Sequence, residues 1–254
     1  MMIVGIIPAR FSSEEIECKV LKMIGDKPLI QHVYEACEKS NVLDDILVAA
    51  DDERILNAVK AFNGKGILTS RSHVCGTDRV AEAARKLMPL PEIVVNIQAD
   101  EPFIDPEMIY EVICPLQENK DEVMSTLASP IKDEEKFKDP FIVKVVVDFS
   151  GYAIYFSRSP IPYIRKEKYK PLQHIGIYCY RFDFLQKLSS MRPSRLELTE
   201  GLEQLRVLEY GFKIKVVISK RPYPGICINT PRDLERAQKF YMEISKIHSR
   251  NIRP

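Results

Sequence analysis

The chain has 254 residues, of which 45% are hydrophobic and 29% charged, and its formal net charge is +1 at pH 7. This composition is typical of a globular protein with a packed core, and it excludes a disordered chain and a surface built to neutralise nucleic-acid phosphates. The N-terminus MMIVGIIPAR does not resemble a signal peptide and no apolar run approaches eighteen residues, so we expect a cytoplasmic protein without membrane insertion.

Short apolar runs alternate with amphipathic stretches in the first half of the chain. The runs are continuous and rich in β-branched residues, which is typical of strands buried in a parallel sheet. The predicted strands are Ile3–Ile7, Ile46–Ala50, Lys65–Leu68 and Ile93–Ile97, and the predicted helices are Leu29–Ser40, Asp52–Phe62, Asp78–Leu87 and Pro106–Gln117. This order predicts an α/β fold with a doubly wound, mostly parallel sheet.

The second half is predicted to extend this sheet and to add a smaller lobe. Its predicted strands are Val123–Ile131, Ile142–Val147, Tyr152–Phe156, Ile175–Tyr180 and Ile214–Ile218, and its predicted helices are Asp183–Ser190, Leu198–Tyr210 and Pro231–Ile247. No repeat or linker interrupts the pattern. We therefore expect one domain over residues 1–254, with a core of about 1–120 and 210–254 and a second lobe of about 121–209.

The loop after the first strand carries two cations, Arg10 and Lys19. Ligands of doubly wound sheets bind beyond the carboxyl ends of the strands. Two cations there either hold a triphosphate through charge-assisted hydrogen bonds or remain solvated loop side chains. The loop lacks the G-x-x-x-x-G-K-[ST] and G-x-G-x-x-G patterns, so a phosphate site here would be neither a P-loop nor a Rossmann fingerprint.

Two further segments place polar groups at the same edge of the predicted sheet. Asp100 follows the run Ile93–Ile97, where its carboxylate either binds Mg²⁺ together with phosphate oxygens or caps a turn. The segment Cys75–Arg79 leads into a helix, whose first N–H groups either meet a base or phosphate or are simply capped.

Polar residues of the second half suggest a binding site for an acidic molecule. Arg158 follows aromatic residues in Tyr-Phe-Ser-Arg, an arrangement that suits a carboxylate-bearing substrate. His174 by itself is more typical of a hydrogen-bonded structural histidine. Glu203 and Gln204 lie on a predicted helix, where they either bind sugar hydroxyls or face solvent.

Taken together, these motifs resemble the 3-deoxy-manno-octulosonate cytidylyltransferases, also called CMP-KDO synthetases. The matching motifs are I-I-P-A-R, Lys19, C-G-T-D-R, N-I-Q-A-D-E-P, V-K-V-V, Y-A-I-Y-F-S-R-S-P-I-P, H-I-G-I-Y-C-Y-R and L-E-Q-L-R-V-L-E-Y-G. The similarity runs from about Met2 to Ala237. I-P-A-R recurs in many sugar nucleotidyltransferases, whereas the last three motifs together are much more specific.

This resemblance implies that the chain activates an eight-carbon 3-deoxy sugar acid with CTP, giving CMP-KDO and pyrophosphate for lipopolysaccharide biosynthesis. The implied fold is that of the nucleotide-diphospho-sugar transferases, with a second lobe that forms a homodimer. The implied catalytic residues are Arg10, Lys19 and Asp100, and the implied Mg²⁺ ligands are Asp100 and Asn229. The implied nucleotide-binding residues are Arg10, Lys19, Cys75, Gly76, Arg79 and Gln98. The implied sugar-binding residues are Gln98, Arg158, His174, Tyr178, Glu203 and Gln204, with Arg158 as the partner of the sugar carboxylate.

The loop departs from the family pattern A-R-Y-x-S-T-R-L-P-G-K-P-L. Glu15 replaces an Arg, Glu17 a Pro and Cys18 a Gly, and Glu14 adds a third carboxylate. Each carboxylate at roughly 8 Å from a phosphate charge costs on the order of 2 kcal/mol at an effective dielectric near 20. Because a residue with a Cβ resists positive φ, we expect the turn at Cys18 to be rebuilt.

Three other departures lie at positions that face the implied ligands. Asn229 replaces a second carboxylate metal ligand, Ala99 replaces a Gly, and Cys75 replaces a Ser. The chain is therefore either a working enzyme with an altered loop or a catalytically impaired paralogue that binds sugar acid or nucleotide. A cytidylyltransferase for a related sugar acid is the third alternative.

Overall fold

The computed structural model describes residues 1–12, 16–166 and 169–251 of the chain, with side chains up to residue 246. Its helices are α1 (Leu29–Ser40), α2 (Glu53–Ala61), α3 (Gly76–Arg85), α4 (Pro106–Glu118), α5 (Glu134–Lys138), α6 (Phe182–Ser190), α7 (Arg195–Glu200), α8 (Gln204–Glu209) and α9 (Pro231–Asn251), with one 3-10 turn at Lys19–Leu21. Its strands are β1 (Ile3–Ala9), β2 (Met23–Ile24), β3 (Lys27–Pro28), β4 (Asp45–Ala50), β5 (Gly66–Leu68), β6 (Ile93–Ile97), β7 (Met124–Pro130), β8 (Lys144–Val147), β9 (Ala153–Ser157), β10 (Leu172–Arg181) and β11 (Lys215–Ile218).

One nine-stranded sheet organises the fold, in the order β11-β7-β10-β6-β1-β4-β5, with β8 paired to β10 and β9 paired to β8. Strand β1 is parallel to β4 and β6, and β4 is parallel to β5. Strand β10 is antiparallel to both β6 and β7. The predicted α/β fold is confirmed, and the second half of the chain contributes an antiparallel strand to the middle of the sheet.

Helices cover both faces of the sheet. Strand β1 contributes apolar side chains to the core on each face. Successive side chains of a strand point to opposite faces. Ile3 and Ile7 belong to a core shared with α1, α2 and α4, whereas Val4 and Ile6 belong to a second core shared with α3, α6 and α8. All seven residues of β1 are buried, which explains why the strand carries no polar side chain.

Some predicted boundaries need correction. The single helix predicted over Leu198–Tyr210 is wrong, because Gly201 adopts a left-handed conformation with φ 64 and separates α7 from α8. The strand predicted over Ile142–Val147 begins only at Lys144, so the residues before it form a loop. Strand β10 is longer than predicted, since it begins at Leu172.

The segments predicted to carry chemistry meet at one edge of the sheet. Ile97, the last residue of β6, pairs with Ile177 in the antiparallel strand β10. His174 and Gly176 therefore extend past the carboxyl end of β6. Strand β1, next to β6, also ends at this edge, with Ala9.

All six cysteines are free. Within the described residues, no helix has both the length and the apolar character needed to cross a bilayer.

Candidate functional site

Two adjoining pockets open at this edge of the sheet, and Gln98 and Glu203 line both of them. The loop pocket has a volume of about 440 Å³ and is lined by Pro8, Arg10, Ser12, Lys19, Val20, Val74, Cys75, Gly76, Gln98, Ala99, Asp100 and Glu203. The sheet pocket has a volume of about 270 Å³ and is lined by Gln98, Glu101, Phe141, Ile142, Val143, Gln173, His174, Gly176, Tyr178, Gly201, Leu202, Glu203, Gln204, Tyr223, Gly225, Cys227 and Asn229.

Lys19 joins three distant parts of the chain where the loop pocket meets the sheet pocket. Its ammonium donates to Oδ2 of Asp100 at 2.9 Å and to Oδ1 of Asn229 at 3.2 Å. Asp100 follows β6, and Asn229 lies just before α9, 210 positions from Lys19. The fold therefore brings the predicted triphosphate ligand and both predicted metal ligands to one point.

The oxygens of Asp100 and Asn229 form the candidate metal site. They already face one cation, the Lys19 ammonium, so their geometry allows both to contact a single positive centre. Mg²⁺ takes oxygen ligands and is commonly held by one or two carboxylates with substrate phosphates and water, so this donor pair fits. Among the described residues, no group of three or more His, Cys, Asp and Glu side chains is arranged to hold a metal.

The N-terminus of α3 faces the loop pocket and is capped from a distant segment. Cys75 is the N-cap residue, but its side chain makes no capping hydrogen bond. Glu203 instead accepts hydrogen bonds from the backbone N–H groups of Gly76 and Thr77, each at 3.3 Å, and from the Thr77 hydroxyl at 2.5 Å. Because helix N-termini attract anions, this contact holds the Glu203 carboxylate at the boundary between the pockets.

Gln98 is the second side chain at this boundary. Its amide nitrogen donates to Oδ1 of Asn96 at 2.9 Å, which leaves its carbonyl oxygen toward Gly76. On the other side, Gly176 lies against its aliphatic stem. The amide is therefore fixed where a molecule in one pocket would meet a molecule in the other.

Three predicted sugar-binding residues form the polar part of the sheet pocket. Nε2 of His174 lies 2.8 Å from the hydroxyl of Thr126, and burial lowers the pKa of His174 to about 3, so the imidazole is neutral. Tyr178 donates to Oε1 of Gln204 at 3.2 Å, and burial raises the pKa of Tyr178 well above its usual range. Nε2 of Gln204 is buried without a partner among the described residues, so it is an unsatisfied donor beside the pocket.

The two arginines predicted for the nucleotide pocket are placed differently. Arg10 lines the loop pocket, and its guanidinium makes no hydrogen bond within the described part of the chain. Arg79 is fully buried and donates to Thr69 at 2.7 Å and to Asp51 at 3.2 Å. It lines a neighbouring cavity, which shares Arg10 and Ser12 with the loop pocket, and it does not line the loop pocket itself.

Arg158 lines neither pocket. Its guanidinium donates to the carbonyl oxygens of Glu200 at 2.8 Å, Pro140 at 3.1 Å and Gly201 at 3.5 Å. None of the described residues that line the sheet pocket is a Lys or an Arg. The contact between Arg158 and a carboxylate stays a prediction, and it would require the guanidinium to turn.

The altered loop is only partly described, since Glu14 and Glu15 lie outside the described residues. Cys18 adopts φ 54 and ψ 38, the left-handed conformation that favours glycine. Its backbone N–H donates to the Phe11 carbonyl at 3.1 Å, which helps to hold the turn. Such a conformation costs a non-glycine residue roughly 1–2 kcal/mol. The expectation that Cys18 avoids positive φ is therefore wrong.

Sequence reasoning missed one wall of the sheet pocket. Glu101 is buried, and the Tyr223 hydroxyl donates to its two oxygens at 2.8 and 3.0 Å. Burial and the charge of Asp100 raise the pKa of Glu101 to about 8. Nearby, Asn229 donates to the sulfur of Cys227 at 3.3 Å. The D-E-P motif could have indicated Glu101, whereas Tyr223 and Cys227 lie in an irregular segment without a periodic signal.

Comparisons with known proteins agree on one family. A family model described as cytidylyltransferase matches residues 4–214. The 3-deoxy-manno-octulosonate cytidylyltransferase of Geotalea daltonii is 47% identical over 249 residues, which cover 93% of this chain and 96% of that protein. The protein of the same name from Fusobacterium nucleatum is 47% identical over 244 residues, which cover 96% of this chain and 98% of that protein.

Solved structures are also similar to this chain. The structure of CMP:2-keto-3-deoxy-manno-octonic acid synthetase complexed with CTP matches with a TM-score of 0.88 and 38% identity, covering 96% of this chain and 99% of that one. The 4-diphosphocytidyl-2C-methyl-D-erythritol synthase of Anaerococcus prevotii matches with a TM-score of 0.63 and 17% identity, covering 95% and 98%. The second similarity shows a shared fold alone.

Proposed function

We propose, because this chain belongs to the 3-deoxy-manno-octulosonate cytidylyltransferase family, that it transfers CMP from CTP to 3-deoxy-manno-octulosonate and releases pyrophosphate. The observation that carries this function is that Gln98 and Glu203 line both pockets. A nucleotide in the loop pocket and a sugar acid in the sheet pocket would meet at these two side chains. The activated sugar acid would serve lipopolysaccharide biosynthesis.

CTP would occupy the loop pocket. Arg10 has no hydrogen-bond partner among the described residues, so its guanidinium is available for phosphate oxygens. Lys19 would move from Asp100 to the triphosphate, exchanging one anionic partner for another. Cys75 and Gly76 would line the wall beside the nucleotide, while Arg79 would act indirectly by fixing the chain behind that wall.

Asp100 and Asn229 would hold Mg²⁺ beside the triphosphate. Bound there, the ion would neutralise phosphate charge as the transferred phosphorus changes partners. One carboxylate and one amide supply less negative charge than two carboxylates, so we expect weaker metal binding in this chain than in relatives with two carboxylates.

The sugar acid would occupy the sheet pocket. The unpartnered Gln204 donor, the neutral imidazole of His174 and the phenol of Tyr178 offer hydrogen bonds to hydroxyl and carboxylate oxygens. Arg158 lies outside the residues that line this pocket and uses three of its five donors on carbonyl oxygens, with the bond to Gly201 the longest at 3.5 Å. Neutral donors would therefore make the first contacts with the acid.

The reaction itself is an in-line displacement at phosphorus. The sugar hydroxyl forms a bond to the α-phosphorus while the bond from that phosphorus to the pyrophosphate oxygen breaks. The protein contributes mainly positioning and charge neutralisation. Gln98 and Glu203 would set the distance between the two reactants, and Arg10 and Lys19 would stabilise the departing pyrophosphate.

We further propose that the chain forms a homodimer and lies in the cytoplasm. CTP is an intracellular nucleotide, which favours that compartment. Several large apolar side chains are exposed on the lobe of about residues 121–209, namely Phe149, Ile154, Tyr163 and Leu198. Exposed apolar side chains commonly mark interfaces. Light scattering should give a dimer mass that Ile154→Asp reduces, and a monomer at all concentrations would reject this part.

A pyrophosphate-release assay with CTP, Mg²⁺ and 3-deoxy-manno-octulosonate tests the function. We expect slow turnover that requires all three components. One alternative is that the chain is a catalytically impaired paralogue that binds the sugar acid or nucleotide. The presence of Asn229 in place of a carboxylate metal ligand is the observation that supports this alternative. That alternative predicts no pyrophosphate but binding of the sugar acid by calorimetry. Faster turnover with another sugar acid would indicate the related-substrate alternative.

A further inference from the structure

Lys144 is a fully buried cation, and none of the described residues gives it a carboxylate partner. It begins β8, and its ammonium donates three hydrogen bonds to the backbone carbonyls of Asp139 at 2.9 Å, Ile142 at 2.6 Å and Arg158 at 2.5 Å. A lysine ammonium has three donors, so all of them are used. Lys144 lines neither pocket, and it therefore cannot contact a substrate directly.

Two of these carbonyls belong to a wall of the sheet pocket, the wall loop, which we define as residues 139–143. Phe141, Ile142 and Val143 of this loop line the pocket. The loop is not part of a strand, and the Val143 carbonyl accepts from the backbone N–H of His174 at 2.8 Å. The position of the wall loop relative to His174 thus depends on the hydrogen bonds at its ends.

The third carbonyl connects Lys144 to the opposite wall. Arg158 donates from its side chain to Pro140 in the wall loop and to Glu200 and Gly201 at the end of α7. Gly201 lines the sheet pocket. Lys144 therefore bonds directly to the wall loop. It also bonds to Arg158, whose side chain connects the wall loop to the opposite wall at the end of α7.

We propose that Lys144 is a positioning residue for the sugar acid. It fixes the wall loop, so that the sheet pocket stays complementary in shape to its substrate. This inference rests on the proposed function of the sheet pocket. The physical reason is that Lys144 is the only partner of the Ile142 carbonyl among the described residues, whereas the Asp139 carbonyl also accepts from the backbone N–H of Ile142 at 3.2 Å. An apolar side chain in place of Lys144 would leave the Ile142 carbonyl unsatisfied, and the loop would turn it toward water.

The test compares Lys144→Met with a matched control, Arg181→Met. Arg181 is also a cation that donates to backbone carbonyls, including those of Leu116 at 2.6 Å and Glu122 at 3.0 Å. Its partners lie in the last turn of α4 and in the loop between α4 and β7, outside both pockets. Both variants should therefore lose stability, but only one of them should disturb the sheet pocket.

For Lys144→Met we expect the KM for the sugar acid to rise at least about tenfold, while the KM for CTP changes less than about twofold. Amide hydrogen exchange should accelerate in the wall loop and stay unchanged around residues 116–122. Arg181→Met should show the reverse exchange pattern and normal KM values for both substrates.

Equal increases in both KM values, or an unchanged sugar KM in a folded variant, would reject the inference. If Lys144→Met does not fold, Lys144→Gln, whose amide keeps two donors, replaces it with the same criteria. Turnover by the unmodified chain tests the proposed function separately. Should that turnover be absent, the exchange pattern in the wall loop still reports whether Lys144 fixes it, and an unchanged pattern would overturn the inference.

Discussion

The ammonium of Lys19 lies 2.9 Å from Oδ2 of Asp100, so a cation from the loop after β1 sits on the carboxylate that would hold Mg²⁺. The same ammonium donates to Asn229, the second candidate ligand. Lys19 is also the residue proposed to bind the triphosphate. A metal ion on the oxygens of Asp100 and Asn229 would compete with this ammonium, and the competition would couple metal binding to nucleotide binding.

Replacing Lys19 with Met should change two affinities in opposite directions. Without the ammonium, Asp100 and Asn229 are free, so Mn²⁺ alone should bind about fivefold more tightly, which corresponds to about 1 kcal/mol for a partly exposed ion pair. CTP should bind at least about tenfold more weakly, because one phosphate partner is lost. Electron paramagnetic resonance of Mn²⁺ and calorimetry of CTP measure the two effects.

The control for this prediction is Lys22→Met, which removes an exposed lysine three positions along the chain. It should leave both affinities unchanged. Weaker binding of Mn²⁺ in Lys19→Met would show that the ammonium does not compete with the metal.

Asn229→Asp combined with Glu15→Arg should raise turnover. The first change adds a carboxylate to the metal site, so half-saturation should need at least about threefold less Mg²⁺. The second removes a repulsion and adds an attraction for the triphosphate. Pyrophosphate release measured across a Mg²⁺ titration separates the two, since Asn229→Asp alone should shift the Mg²⁺ dependence. No change in that dependence would exclude Asn229 from the metal site.

Glu203→Gln should weaken the start of α3 and the binding of both substrates. The carboxylate caps the helix that the Cys75 side chain does not cap, so its neutralisation should lower the free energy of unfolding by about 1 kcal/mol. Cys75→Ser supplies a local cap, and the double variant should therefore lose less stability than Glu203→Gln alone. Urea unfolding of the four proteins measures this, and purely additive effects would contradict the shared cap.

His174 should make stability depend on pH below 6.5. Burial lowers the pKa of His174 to about 3 in the folded chain, whereas an unfolded histidine titrates near its ordinary value of 6.5. As pH falls below 6.5, the unfolded state gains a proton that the folded state does not, so stability is lost. The contribution of His174 to the difference between pH 7 and pH 5 should be about 2 kcal/mol, and Glu101, whose folded pKa is raised to about 8, changes stability in the opposite direction over the same range.

His174→Gln should remove this part of the pH dependence, and His32→Gln on α1 serves as the control. Urea unfolding at several pH values gives the comparison. The same pH slope in His174→Gln and in the unmodified chain would show that His174 is protonated in the fold.

Much of the fold could be predicted from the sequence because its signals are local. The bounds of α1 and β6 agree with the prediction to the residue, since a run of buried β-branched residues or an amphipathic period is visible within one segment. The helix predicted over Leu198–Tyr210 failed because a single glycine, Gly201, takes a left-handed conformation that periodicity does not reveal.

By itself the sequence determined the α/β class, the polar segments after β1 and β6, and, through its motifs, the family. The tertiary structure alone decided which side chains meet. In the folded chain Lys19 lies between Asp100 and Asn229, and Glu203 caps α3. Arg158 donates to three carbonyl oxygens, and Lys144 is buried behind the sheet pocket. The physical reason is that hydrogen bonds between residues far apart in the chain depend on strand register and loop conformation, which no local pattern encodes.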